Sequence, residues 1–450
     1  MLFSSLEFLF LFLPLSVGVY FLLPSRLRNL WLLLSGFCFY GFGEPKFLPI
    51  MALTVALNFT FGWLVSRFGA SERSRKTILW IAVAYNLLSL SYFKFFASEL
   101  PIGISFYTFQ ALSYVVDVYR RSAEVCRDLV SFGAYVSLYP QLIAGPIVRY
   151  SEIDGRLKKR EHSLADIAGG MRTFCAGLSK KVLLANVAGK AWEFFALRRG
   201  FADGYVGIFF FSMQIYFDFS GYSDMALGLG RVFGFSFPKN FSYPYTSKSI
   251  TDFWRRWHIT LSSFFREYVY IPLGGNRGGK WRTWRNLLVT WALTGIWHGA
   301  TLNFLIWGLY FALILVIEKA FLKNALDRIP IILQRIYALA LIAVGWVIFV
   351  SDGQTLSGAE GAMYLLRLCG VGCTGFCSSE SAYEILRNLV FALILCVGAT
   401  PLPRRLYQKI TRSEGAFSAI CMSVLPILAF LLSVAYIVNS GYDPFLYFRF

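Results

Sequence analysis

Stretches of about twenty apolar residues, each long enough to cross roughly 30 Å of hydrocarbon, recur along this chain from end to end. Within a bilayer no water is available to pair backbone N–H and C=O groups, so such a chain can form only helices or a closed barrel. The stretches are about twice as long as a barrel strand requires, which predicts an all-α polytopic membrane protein. Hydrophobic residues make up 57% of the sequence and charged residues only 15%, which excludes a soluble globular protein. The first stretch, LEFLFLFLPLSVGVYFLL, lacks the basic start and small-residue cleavage site of a secretion signal, and is read as a retained span. No soluble domain, low-complexity tail or repeat interrupts the pattern, so one integral-membrane domain over residues 1–450 is expected.

A net charge of +18 raises the question of nucleic acid. The basic residues lie in short loops between apolar segments, the distribution that marks cytoplasmic loops, so membrane lipid is the expected partner and nucleic acid is not. The same basic face would also suit an anionic substrate. Eight cysteines are scattered through apolar segments and imply no disulfide framework. Cys369, Cys373 and Cys377 are evenly spaced but lack a nearby histidine or carboxylate, so no metal site is expected.

Charge parity threads the chain. Basic loops at 25–28, 66–76 and 119–127 belong inside, giving an outward N-terminus, three spans, then spans near 77–96 and 102–118. The apolar run at 130–148 is followed by the basic GRLKKR, which also belongs inside. A re-entrant segment broken at Pro140, Gly145 and Pro146 resolves the conflict. The conflict recurs around TGIWHGATLNFLIWGLY, 294–310, which lies between a loop with eight cations against two acids and the basic 318–328. The chain must therefore turn back near Gly295–Gly299, placing His298 deep in the membrane at the turn. Further spans fit 331–351, 384–400 and 416–439, with SGYDPFLYFRF at the outer face, and about 11 spans plus re-entrant pieces are expected in all.

Three clusters carry chemistry. In SITDFWRRWHITLSSFFREYVYIPLGG, 249–275, aromatic and aliphatic residues at three- and four-residue spacing predict one amphipathic helix at the membrane surface, capped by Ser249 or Thr251. Arg255, Arg256 and Arg266 fall on its polar side and His258 at the edge of its apolar face. Of the three histidines, His162 lies in the polar KKREHSLAD and reads as an ordinary surface residue. His258 and His298 are candidates for general-base chemistry, since imidazole takes up protons near neutral pH. Asp218 and Asp224 sit in an apolar span, where a carboxylate is either the partner of a buried cation or a catalytic group. Deep histidines and a basic cytoplasmic mouth suit acyl transfer from a phosphate-bearing thioester, and also suit a proton-coupled transporter.

The blocks FWRRWHITLSSFFREYVYIPLGGNR and LTGIWHGATLNFLIWGLY, with PIGISFYTFQALSYVVDVYR, YPQLIAGPIVRY and DFSGYSDMALGLGRVFGF, resemble those of the membrane-bound O-acyltransferases. FYGFGEPKFL and DPFLYFRF are similar to the branch that O-acetylates bacterial alginate or peptidoglycan. The resemblance implies a bundle of about 11 helices with re-entrant pieces around a central funnel, in a bacterial inner membrane. It implies His298 as catalytic residue and His258 as the second active-site residue, supported by Trp297, Asn303, Asp224, Arg255 and Arg256. Tyr447, in the outward C-terminal motif, would be an acyl relay or simply an interfacial aromatic anchor. The implied donor is acetyl-CoA, with no tightly bound cofactor. The implied acceptor is an extracytoplasmic polysaccharide, reached directly or through an SGNH-type or other extracytoplasmic transferase. D-alanyl transfer to teichoic acid from a carrier-protein thioester is the neighbouring alternative.

Overall fold

In a computed structural model every regular element among the described residues is a helix. Those residues are 1–440, leaving out 70, 144, 354, 413 and 414. Met1–Leu178 and Tyr222–Lys239 form one compact unit; Ser179–Gly221 and the chain from Asn240 onward form a second.

The first unit contains a π-turn at Phe8–Phe12 leading into α1 (Leu13–Leu22), then α2 (Arg28–Gly43), α3 (Leu48–Arg67), α4 (Glu72–Phe95) and α5 (Ile104–Tyr119). Four shorter or broken elements follow: α6 (Leu129–Val136), α7 (Tyr139–Leu142), α8 (Tyr150–Lys158) and α9 (Leu164–Ser179). Helices α3, α4 and α5 pack together. Asn58 and Asn86 exchange amide hydrogen bonds of 3.2 and 2.8 Å, a polar fastening of the kind that joins helices in lipid. α5 is buried on nearly every side, as a helix enclosed by protein should be, and the buried set includes the polar Gln110 and Asp117.

The expected break in 130–148 is present, since α6 ends at Val136 and Pro140 opens the single turn of α7. The interrupted backbone is satisfied from within the protein, where such backbone is tolerated. Gln141 Nε2 donates to the Tyr135 carbonyl (2.8 Å), and the Tyr135 hydroxyl lies 2.9 Å from the Val148 carbonyl. His162 departs from expectation. Its Nε2 lies 3.2 Å from the Tyr20 hydroxyl and its ring meets the edges of Tyr20 and Phe21, so it is packed against α1. Burial first, then Arg28 and Arg160, hold its imidazole below the ordinary value.

The second unit holds α10 (Asn186–Phe195) and the 32-residue α11 (Phe201–Val232), whose end from Tyr222 belongs to the first unit. Then come α12 (Ile250–Trp254), α13 (Ile259–Phe265), α14 (Lys280–His298), α15 (Leu302–Ile317), α16 (Lys323–Leu326), α17 (Ile331–Val350) and α18 (Gly358–Leu368). The unit closes with α19 (Ser379–Arg387), α20 (Leu389–Gly398), α21 (Leu402–Thr411) and α22 (Ala416–Ser440).

Five helices are long and apolar enough to cross a membrane singly: Pro45–Arg67, Glu72–Phe95, Leu302–Leu322, Ile331–Val350 and Ala416–Ser440. α19 with α20, bent by 49°, makes a sixth candidate where a span over 384–400 is expected. About 11 spans are expected from the sequence; by length and composition the described residues supply five or six. The expected first span is shorter, Phe8–Leu22.

The continuous surface helix expected over 249–275 does not form. The chain leaves helical geometry after Trp254, and Trp254, Trp257, Phe264 and Phe265 are buried. A helical wheel assumes that every residue keeps right-handed geometry. His258 does not, at φ +43° and ψ +54°.

Candidate active site

The hairpin α14–α15 carries His298. Two glycines let the helix backbones touch: a Cβ on Gly295 would stand 2.3 Å from the Phe304 carbonyl oxygen, and one on Gly308 2.3 Å from that of Trp291. Such small-residue contacts are how helices approach closely in membranes. The turn falls just after His298, as the loop charges required, and His298 ends α14 with 6% of its surface exposed. Ring centroids of Trp297 and Trp307 lie 4.9 Å away, Phe349 5.4 Å and Phe304 6.4 Å. Asn303 Nδ2 donates to the carbonyls of Ile348 (3.2 Å) and Phe349 (3.3 Å), and its Oδ1 accepts from the Thr301 hydroxyl. Asn303 thus ties the turn to the end of α17, from which Phe349 reaches His298.

His258 is placed by a polar network. Ser249 caps α12 by accepting from the Asp252 N–H at 3.0 Å, one of the two expected caps. Glu318 adds a carboxylate at the same helix start, accepting from the N–H groups of Ile250 (2.7 Å) and Thr251 (2.8 Å). Beyond α12, the Ser242 N–H donates to the Arg256 carbonyl and the Ile259 N–H to the Asn240 carbonyl, both at 2.9 Å. These bonds hold the left-handed residue between them, so His258 points inward at 1% exposure.

Asn240 Oδ1 accepts from the Thr260 N–H (3.3 Å) and hydroxyl (2.9 Å). That atom is therefore the amide oxygen, and His258 Nδ1, 3.0 Å away, must donate to it. In the neutral ring the lone pair is then on Nε2. The Phe219 edge packs against the imidazole at 4.7 Å.

Trp297 is the common neighbour, with its ring 6.3 Å from that of His258 and 4.9 Å from that of His298. The structure therefore gathers His258, Trp297 and His298 in one aromatic enclosure, with Asn303 behind it. Arg255 and Arg256, beside His258 in the sequence, stand apart from it. Arg255 is exposed, and Arg256 bonds Asp252 at 2.8 Å and the Ser242 carbonyl at 3.4 Å. Asp224 is half-buried in the part of α11 that belongs to the first unit. Asp218 and Lys181 form a buried ion pair at 3.0 Å, with Asn186 3.0 Å from Lys181, so the buried-cation reading holds for Asp218. Tyr447 lies outside the described residues. No group of His, Cys, Asp or Glu among the described residues is placed to hold a metal.

A family model described as the membrane-bound O-acyltransferase family matches residues 47–349, which include both buried histidines. The chain belongs to the membrane-bound O-acyltransferases. It is an O-acyltransferase and a multi-pass protein of the bacterial inner membrane. It is 38% identical over the whole of both chains to a protein of Azotobacter vinelandii named "probable alginate O-acetylase". It is 32% identical to a "peptidoglycan O-acetyltransferase" of Helicobacter pylori, covering 86% of this chain and 84% of that one. A "teichoic acid D-alanyltransferase" of Bacillus subtilis is 26% identical over 49% of this chain and 60% of its own. Membership in this family sets aside the transporter reading.

Proposed function

We propose that this O-acyltransferase moves acetyl groups from a cytoplasmic thioester, acetyl-CoA, toward an extracytoplasmic polysaccharide. The observation that carries the reading is the pair of buried histidines flanking Trp297, in a chain similar along its whole length to named O-acetylases. His298 accepts the proton of the incoming hydroxyl as its oxygen bonds to the thioester carbon. The C–S bond then breaks, and the imidazolium returns its proton to the leaving thiolate. The transient cation falls at the carbonyl end of α14, where helix dipoles favour positive charge. His258, its Nδ1 fixed by Asn240, orients the hydroxyl by accepting at Nε2. The surrounding rings keep out water that would hydrolyse the thioester.

The incoming hydroxyl is that of Tyr447, which then carries the acyl group as an ester, and an SGNH-type or similar extracytoplasmic transferase passes it to a sugar hydroxyl, freeing the tyrosine. D-alanyl transfer is the second reading, favoured by the Bacillus relative. The purified full chain should release free CoA from acetyl-CoA when a hydroxyl acceptor is present, and His298→Ala should lower that rate by about 10²- to 10⁴-fold. Turnover of a D-alanyl carrier-protein thioester, with none of acetyl-CoA, would replace the first reading by the second.

A further inference from the structure

The first unit contains a cleft of about 940 Å³ between the ends of α3 and α5, the starts of α4 and α6, and α8. That is within the size range of small-molecule sites. The basic loops at 66–76 and 119–127 place this end of the unit on the cytoplasmic side. Val118, Val125 and Leu157 give the cleft an apolar wall, and charged groups line the rest.

Most of those charges already have partners. Lys158 pairs with Asp154 (2.9 Å) and Glu124 (3.1 Å), and Arg75 with Glu72 (2.9 Å). Asp128 caps α6 through the N–H groups of Val130 and Ser131. Arg121 and Arg127 are different: both line the cleft, and neither guanidinium has a hydrogen-bond or ion-pair partner among the described residues. Arg121 lies near Glu72, but that carboxylate is already held by Arg75 and the Tyr119 hydroxyl.

The backbone at Arg121 points the same way. The Ser122 N–H bonds the Asp117 carbonyl (2.9 Å) and the Arg121 N–H bonds that of Val118 (3.1 Å), which is a Schellman ending of α5. Arg121 occupies its left-handed position at φ +59°, where glycine is the favoured residue and a side chain strains the backbone. Strained residues of this kind cluster at ligand clamps and other functional sites.

We infer that this cleft binds a phosphate-bearing ligand with an apolar portion, gripped by the guanidinium groups of Arg121 and Arg127. Two guanidinium forks match phosphate oxygens, and the Val118, Val125 and Leu157 wall accepts a base or an acyl chain. The same chemistry is offered by a soluble nucleotide and by a phospholipid headgroup at this end of the spans.

The test uses the full chain in phosphatidylcholine nanodiscs. ADP is titrated calorimetrically, and in parallel discs containing phosphatidylglycerol the lipid retained per protein is counted by native mass spectrometry. One probe should bind the wild type, ADP marking a soluble ligand and phosphatidylglycerol a lipid. R127A and R121G should each weaken that binding at least about tenfold, the scale of a charge-assisted hydrogen bond. R121G should also unfold at a temperature no lower than the wild type, because glycine relieves the backbone. Binding of neither probe, undiminished binding in either variant, or a lower unfolding temperature for R121G would overturn the inference.

Discussion

The two buried histidines reach the same aromatic enclosure by opposite means. His298 ends a regular helix, and its position follows from glycines that let α14 and α15 pack backbone to backbone. His258 sits at a break in helical geometry, and its position follows from Asn240, Thr260 and the loop carbonyls around it. A side chain set by close packing is sensitive to added volume. One set by a polar network is sensitive to loss of a single partner.

The Lys181–Asp218 pair sharpens that contrast, because Asp218 precedes Phe219, whose ring edge meets His258. Lys181→Met should destabilise the protein by about 3–5 kcal/mol, since it leaves a buried carboxylate uncompensated. The double variant Lys181→Met with Asp218→Leu should recover most of that loss. Thermal unfolding in detergent checks both, and an equally unstable double variant would show that the pair does more than neutralise itself.

On the packing side, Gly308→Leu should cost at least about 1–3 kcal/mol and lower activity, because its side chain has no space against Trp291. On the network side, Asn240→Ala strips an acceptor from Thr260 and His258, at about 1–3 kcal/mol. Asn240→Asp keeps an acceptor at that site and should retain more activity than Asn240→Ala. Equal loss in the two Asn240 variants would break the network account.

The third histidine provides the smallest effect. His162 is held below the ordinary imidazole value of 6.5, so the unfolded chain takes up its proton first as pH falls. Its contribution is therefore a loss of stability that begins near pH 6.5 and grows toward acid. His162→Gln should show a shallower fall in unfolding temperature between about pH 7 and pH 5. The wild-type slope in that variant would assign the acid sensitivity to other groups.

The contrast also explains what could be read from the sequence. Loop charges and helix-breaking prolines are local signals, so the turn after His298 and the break within 130–148 were both legible. The break at His258 was not, because its cause is Asn240, eighteen residues upstream in FPKNFSYPY, and a wheel drawn on 249–275 does not include it. Glu318 was legible only as part of a basic loop, although it caps α12 from 67 and 68 residues away. His162 looked like a surface residue for the same reason: its neighbours Tyr20 and Phe21 are far away in sequence. Arg255 and Arg256 sit beside His258 in the motif yet face away from the enclosure.

The central claim is that His298 performs the chemistry. The most direct measurement compares base-labile acetate on envelope polysaccharide in cells carrying the wild type or His298→Ala, with membrane levels of the two proteins matched. The account expects acetate to disappear while insertion stays normal. Undiminished acetate in the variant would make His298 a packing residue and contradict the assignment.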